Sequence, residues 1–469
     1  MTHKTATKTR SGRFWVAALI FLPCSNGVVA VDDNFLLDLI PSIVANKVMG
    51  TPPSPLPAPP DPAIDPEIDF GTIIRSSDLG WVPGADVSDE IEALFDNGVV
   101  KPNTTLLLEG MFDIQGSVRL DAPNNFVLAG NQVGNGLTIR NTEATLNNPW
   151  LRLGGDNALY NVEILHTETK SLNDGNGKSN TRSIQATEDN IKIINSYFEG
   201  NLGLFIDAAG KDHLVLDTHF NGASAQIRAL NVYQSPKIIN SLFENALADG
   251  IKTIRPPEGD LGTEQALVSG CVFLNNARDG IDTTGGFRDS LVEDSYFVGL
   301  FKGMDIKNIY DQNTRVFANQ NLQSLNKNIT VRRSEFINNN NGIASITLDR
   351  GPSGDGSDRW ITNQNAANWL TNTISVTNTI FENTGSGRTN ALLSQDVFNV
   401  SWNSILLLGN VNMSRVSRNS AVSSQVDPSV NTNYNIDGSN VSTGPIRTMQ
   451  PDAYYRSLAG RDQSLQFDQ

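Results

Sequence analysis

Apolar and polar positions in the second half of this chain follow a recurring phrase, not a helical period. An apolar pair leads into a short polar stretch, then Phe, then Asn or Gly, then Gly-apolar-x-apolar. The phrase runs through IINSYFEGNLGLFI, LVLDTHFNGASAQIRAL, IINSLFENALADGIKTI, LVSGCVFLNNARDGIDTT, LVEDSYFVGLFKGMDI, VRRSEFINNNNGIASI and VTNTIFEN. Its anchors are Phe198, Phe220, Phe243, Phe273, Phe297, Phe336 and Phe381, spaced 22, 23, 30, 24, 39 and 45 residues apart. Self-similarity at a period of about 20–30 residues marks a solenoid. Two or three short strands per period, with no helical spacing between them, predict coils of a parallel β-helix. The expected fold is all-β, a right-handed parallel β-helix (solenoid) with an N-terminal capping helix.

The flanks divide the chain further. Lys4, Lys8, Arg10 and Arg13 precede a short apolar run, Phe14 to Pro23, and small residues Val28 and Ala30 follow. This pattern predicts a signal peptide over 1–30, too short to span a bilayer. A proline-rich spacer is expected over 31–68, where TPPSPLPAPPDPAIDP cannot pack a core. The β-helix domain is assigned to 69–420 and an irregular C-terminal tail to 421–469. Near the start of the domain, SDEIEALFDNG places Ile91, Leu94 and Phe95 on one helical face before Gly98, suiting it to cover the open end of the first coil. Insertions at 308–328 and 350–372 lengthen two of the periods. Trp360 and Trp369 in the second could stack on sugar rings or simply pin their loop.

Charge narrows the partners. Loss of residues 1–30 removes four basic side chains and no acidic one, leaving 31 basic against 50 acidic and a net charge of −19. Such a protein repels nucleic acid and anionic membranes. The expected product is a soluble monomer that is secreted, periplasmic or on the cell surface, with no membrane insertion after cleavage. Cys271 is then the sole cysteine, so no intrachain disulfide is possible, and it reads as a small buried coil residue.

Candidate chemistry appears when the repeats are aligned on Gly203, Gly250, Gly280, Gly303 and Gly342. The next residue, apolar each time, points inward. The one after points outward: Phe205, Lys252, Asp282, Asp305 and Ala344, with Arg228 in the intervening coil. Leu202, Asp249, Asp279, Lys302 and Asn341 stand at the bend before the glycine. Asp249, Asp279 and Asp282 therefore converge within about two coil heights, strands lying ~4.8 Å apart. Arg228, Lys252, Lys302, Asp305 and Lys307 surround them. Three converging carboxylates suit a hard cation such as Ca2+. Equally, Asp before Gly favours a bend, and lysines can pair with aspartates on a solvated ladder.

The stretch 70–420 resembles the pectate-lyase superfamily. Within it, Asp249-Gly and Asp279-Gly-x-Asp282 resemble the calcium site of polysaccharide lyase family 9. That resemblance implies a secreted lyase that cleaves an acidic, uronate-containing glycan by calcium-assisted β-elimination. Asp249, Asp279 and Asp282 would be metal ligands; the resemblance does not identify the base, and Lys307, Lys252, Arg228 and Asp305 are the surrounding candidates for proton transfer and charge stabilisation. Arg278 stands where the family has a further aspartate, and Asp305 where it has its lysine. A glycoside hydrolase using Asp279, Asp282 and Asp305, a uronan epimerase, and a non-catalytic exported glycan-binding or adhesin β-helix share the fold.

Overall fold

The computed structural model describes residues 67–116, 118–140, 149–167, 182–253, 262–283, 286–311, 326–350, 373–395, 399–417 and 441–467. The expected signal peptide, most of the spacer, and Trp360 and Trp369 lie outside the described residues. All described residues belong to one compact unit, Ile64–Gln469.

The chain winds as a right-handed parallel β-helix, as the repeats predict. Each coil contributes a strand to each of three faces, and neighbouring coils pair in parallel. Sheet 1 contains strands such as Lys192–Ile194 and Leu214–Leu216, and sheet 2 strands such as Tyr197–Gly200 and His219–Gly222. Sheet 3 contains Leu204–Lys211, Ala225–Gln234, Asp249–Thr253, Asp279–Asp282, Lys302–Asp311 and Asn341–Arg350. Lys302–Asp311 runs four residues into the first expected insertion, and Asn341–Arg350 ends at the first position of the second.

The repeated phrase has a physical cause at each position. The seven anchor phenylalanines stand in register from coil to coil. Their rings stack with centroids 4.6–5.1 Å apart and planes within 14°. Each such pair contributes about 0.5–1.5 kcal/mol beyond area burial. The glycine of sheet 3 is needed because this stack fills the interior. A Cβ at Gly280 would stand 2.7 Å from the Phe297 ring, and one at Gly303 only 2.3 Å from Phe336.

The polar stretch is the turn between sheets 1 and 2. Asn195, Asp217, Asn240 and Asp294 adopt positive φ there, which Asn and Asp tolerate best. One residue further on, Ser196, Ser241, Ser295 and Ser334 donate their hydroxyls back across the turn, to the carbonyls of Ile194, Ile239, Glu293 and Arg332. Cys271 takes this hydroxyl position, fully buried, its Sγ 3.4 Å from the Ser269 carbonyl. Burial pushes its thiol up to about 12, so it stays protonated and inert.

The expected helix forms over Ser88–Asp96. Ile91 and Leu94 enter the core, and Phe95 meets Phe126 edge-on at 5.4 Å. Gly98 ends it with a φ of 63°.

Where the sequence suggests an irregular tail, residues 441–467 form a strap along sheet 2, running against the direction of winding. Val441–Gly444 pairs with Ile405–Leu408 of the late coils. Arg447 then bonds Glu382 and Glu335, Arg456 bonds Glu244, and Arg461 bonds Glu163. Tyr455 packs beside Leu242, Val272, Leu274, Val298 and Ile337. Finally Phe467 meets Phe70 of the first coils at 4.8 Å.

Candidate functional site

Sheet 3 carries the predicted charged column, with one correction. Leu204 pairs with Ala225 and Asp207 with Arg228, so the first coil is shifted two residues from the glycine alignment. Phe205, expected to face outward, is fully buried against Phe198 and Phe220. Asp207 takes the outward position instead. The reason is steric: with no glycine at this level, Phe205 itself fills the space beside the phenylalanine stack. The outward column therefore reads Asp207, Arg228, Lys252, Asp282, Asp305 and Ala344.

Asp249, Asp279 and Asp282 are brought together. One ligand atom from each lies within 4.8 Å of the others. The setting differs from the open sheet that alternation implies: Asp249, Asp279, Asp282 and Asp305 are all 1 % exposed or less. Basic side chains lie over them. Lys252 Nζ donates to Asp249 Oδ2 at 2.7 Å and to Asp282 Oδ2 at 2.9 Å. Lys302 Nζ donates to Asp305 Oδ2. Two coils before Lys252, Asp207 accepts Arg228 Nε and Nη2, each at 2.8 Å, and lies 2.8 Å from Arg182 Nε.

Electrostatics follow from this packing. Burial works to lower the Lys252 pKa, but Asp282 and Asp249 outweigh it and hold the ammonium above the usual lysine range. The fields of Asp249, Asp279, Asp282 and Asp305 likewise hold the Arg278 guanidinium charged, against partial burial. Around the cluster, Arg182, Arg228, Lys252, Arg278 and Lys302 stand against Asp207, Asp249, Asp279, Asp282 and Asp305, five charges of each sign. Buried carboxylates without such partners would cost several kcal/mol each.

Of the other expected residues, Arg228 serves Asp207. Lys307 lies on the Lys302–Asp311 strand opposite Ile346, and its side chain is outside the described residues. Sequence reasoning missed Asp207, because the glycine alignment fails in its coil. It also missed the rim. Asp279 pairs with Lys302, so the residues before them, Arg278 and Phe301, stand on successive rungs. Both are exposed, Phe301 by 47 %. Lys302 Nζ lies 5.5 Å from the Phe301 ring centroid.

No family model matches the sequence, and neither does any curated protein. Solved structures do match in fold. A surface adhesin of Streptococcus pneumoniae, PfbA, aligns at TM-score 0.53 and 17% identity over 74% of this chain and 88% of that one. The Dettilon tailspike protein aligns at TM-score 0.51 and 10% identity, over 80% of this chain and 68% of that one. A polygalacturonase from Erwinia carotovora ssp. carotovora reaches TM-score 0.49 at 12% identity, over 75% and 98%. The shared property is the parallel β-helix.

Proposed function

We propose that the protein is an exported glycan-binding β-helix that holds an acidic saccharide along the rim of sheet 3. The observation that carries this reading is the pair Arg278 and Phe301. An exposed guanidinium and an exposed aromatic face, on successive rungs whose backbones are about 4.8 Å apart, suit a sugar that bears a carboxylate. The pyranose ring lies on Phe301 while its carboxylate meets Arg278. Export rests on the N-terminal pattern of basic, apolar and small residues. Lys252 and Lys302, each tied to aspartate, contribute field and rigidity.

Affinity electrophoresis in gels containing polyuronates, with neutral glucans as controls, tests the reading. Retardation is expected in at least one polyuronate gel and in no neutral one. Phe301→Ala and Arg278→Ala should each weaken it about tenfold, a loss near 1.4 kcal/mol. Equal mobility in every gel would sink the proposal.

A second reading has its own observation, the three buried carboxylates within 4.8 Å of one another. Their all-oxygen donor set suits calcium chemically, and a lyase would use the ion to stabilise charge developing on a uronate carboxylate. The position between Asp249 and Asp282, however, is filled by the Lys252 ammonium. The residues as they stand do not fit the ion. Ultraviolet absorbance of unsaturated uronates, followed with calcium and then with chelator, separates cleavage from binding. A calcium-dependent rise would replace the first reading with the second.

A further inference from the structure

We propose that Lys252 is the resident cation of the Asp249–Asp279–Asp282 cluster, doing the work of a divalent ion, and that its removal opens a calcium site. This inference is independent of whether a glycan binds.

The geometry is that of an ion site already filled. Oxygens around one calcium lie about 2.3–2.6 Å from it, so any two are separated by no more than about 5 Å. The carboxylate atoms here meet that limit at 4.8 Å. Lys252 Nζ sits 2.7 Å from Asp249 Oδ2 and 2.9 Å from Asp282 Oδ2, so the ammonium takes the volume an ion would use. Chain geometry explains how it arrives. Asp249 begins the strand on which Lys252 lies three residues later, and Lys252 stands directly opposite Asp282 on the next coil. A lysine at this rung therefore reaches one carboxylate along its own strand and another across the ladder.

Two further observations point the same way. Asp249 Oδ1 is buried without a hydrogen-bond partner, which leaves a second oxygen of that carboxylate to be gained by an ion. Arg278 adds positive field over the same cluster. An incoming divalent cation would meet two positive side chains and would have to expel the lysine from both its ion pairs. The adjacent rung repeats the device, with Lys302 on Asp305 three residues later.

The test is isothermal titration of the full chain with calcium chloride, backed by terbium luminescence and thermal unfolding. Wild type should show no saturable calcium binding below about 1 mM, within the range of weak extracellular sites. Lys252→Met, which keeps the apolar stem, should gain one site at least tenfold tighter than that limit. Calcium should then raise its melting temperature, and Asp282→Asn in the same background should abolish both effects. If Lys252→Met is unfolded without calcium, folding restored by calcium alone supports the proposal. Lys252→Gln, which keeps a donor for the two carboxylates, provides the second folded background for titration. Saturable wild-type binding that Asp282→Asn removes would overturn the proposal and favour the calcium reading of the site. So would the absence of any calcium-dependent change in both Lys252 variants.

Discussion

Sheets 2 and 3 both line their outer faces with acidic side chains, and they neutralise them in opposite ways. On sheet 3, Asp305 is paired by Lys302 three residues away, and Asp282 by Lys252 thirty residues away, within one coil. On sheet 2, Glu382, Glu335, Glu244 and Glu163 take arginines that lie 65, 112, 212 and 298 residues along the chain. Sheet 3 is a local ladder that completes itself as each coil is added. Sheet 2 is finished only when the last segment of the chain folds back over it. A repeat protein held by nearest-neighbour contacts alone would lose coils one at a time. The strap joins early coils to late ones and makes their loss cooperative.

Removing the strap is the strongest way to break this contrast. A chain ended at residue 440 loses the Glu partners and exposes the apolar strip around Leu242, Val272, Leu274 and Val298. It should lose about 5 kcal/mol, summed over three large apolar side chains and the ion pairs. Its denaturation should split into more than one transition by circular dichroism and tryptophan fluorescence. A single transition at the wild-type midpoint would show that the clasp contributes nothing.

A ladder mutation should act differently. Asp207→Ala leaves Arg182 and Arg228 without their shared carboxylate and should cost about 3 kcal/mol, as breaking a buried pair does. The unfolding should remain as cooperative as in wild type, because the strap is intact. Chemical denaturation followed by circular dichroism and tryptophan fluorescence decides it, a broadened or split curve being the contrary result.

Acid sharpens the comparison with a smaller effect. His213 is buried, accepts the Ile191 N–H on Nδ1 and donates from Nε2 to the Ala209 carbonyl. Burial pushes its pKa below the ordinary 6.5, against those backbone contacts and nearby aspartates. Its stability contribution is complete above pH 6.5 and declines as pH falls toward the folded value. For Glu244 burial works upward, yet hydrogen bonds from His219 and Arg456 hold the carboxyl below its ordinary 4.5. That contribution is complete above 4.5 and is lost as pH falls through the lowered value. Urea midpoints from pH 7 to 3.5 should therefore fall in two stages. Arg456→Gln should weaken only the lower one; an unchanged profile in that variant would remove the strap from the acid response.

Legibility followed the range of each interaction. The phenylalanine ladder, the turn residues and the helix over 88–96 were readable because each is set within one period. The meeting of Asp249, Asp279 and Asp282 was readable for the same reason, since register converts a sequence offset into a neighbour. The reading of outward positions as exposed failed. Alternation states which way a side chain points, and the burial of these carboxylates depends on where the long stems of Lys252 and Lys302 lie. Asp207 was hidden because Phe205 breaks the glycine pattern that the alignment relied on. Phe301 carries no motif, Arg278 was legible only as a departure from the family's aspartate, and their pairing as a rim emerges only from the Asp279–Lys302 register.

By itself, then, the sequence determined the winding, the stacked core and the rungs on which the charged residues stand. These are consequences of side-chain period and turn chemistry repeated coil after coil. Tertiary structure alone decided that Lys252 fills the space between two aspartates and that residues 441–467 close sheet 2. The first depends on which rotamer a long flexible side chain adopts among buried charges. The second depends on contacts up to about 300 residues apart, which no local pattern encodes.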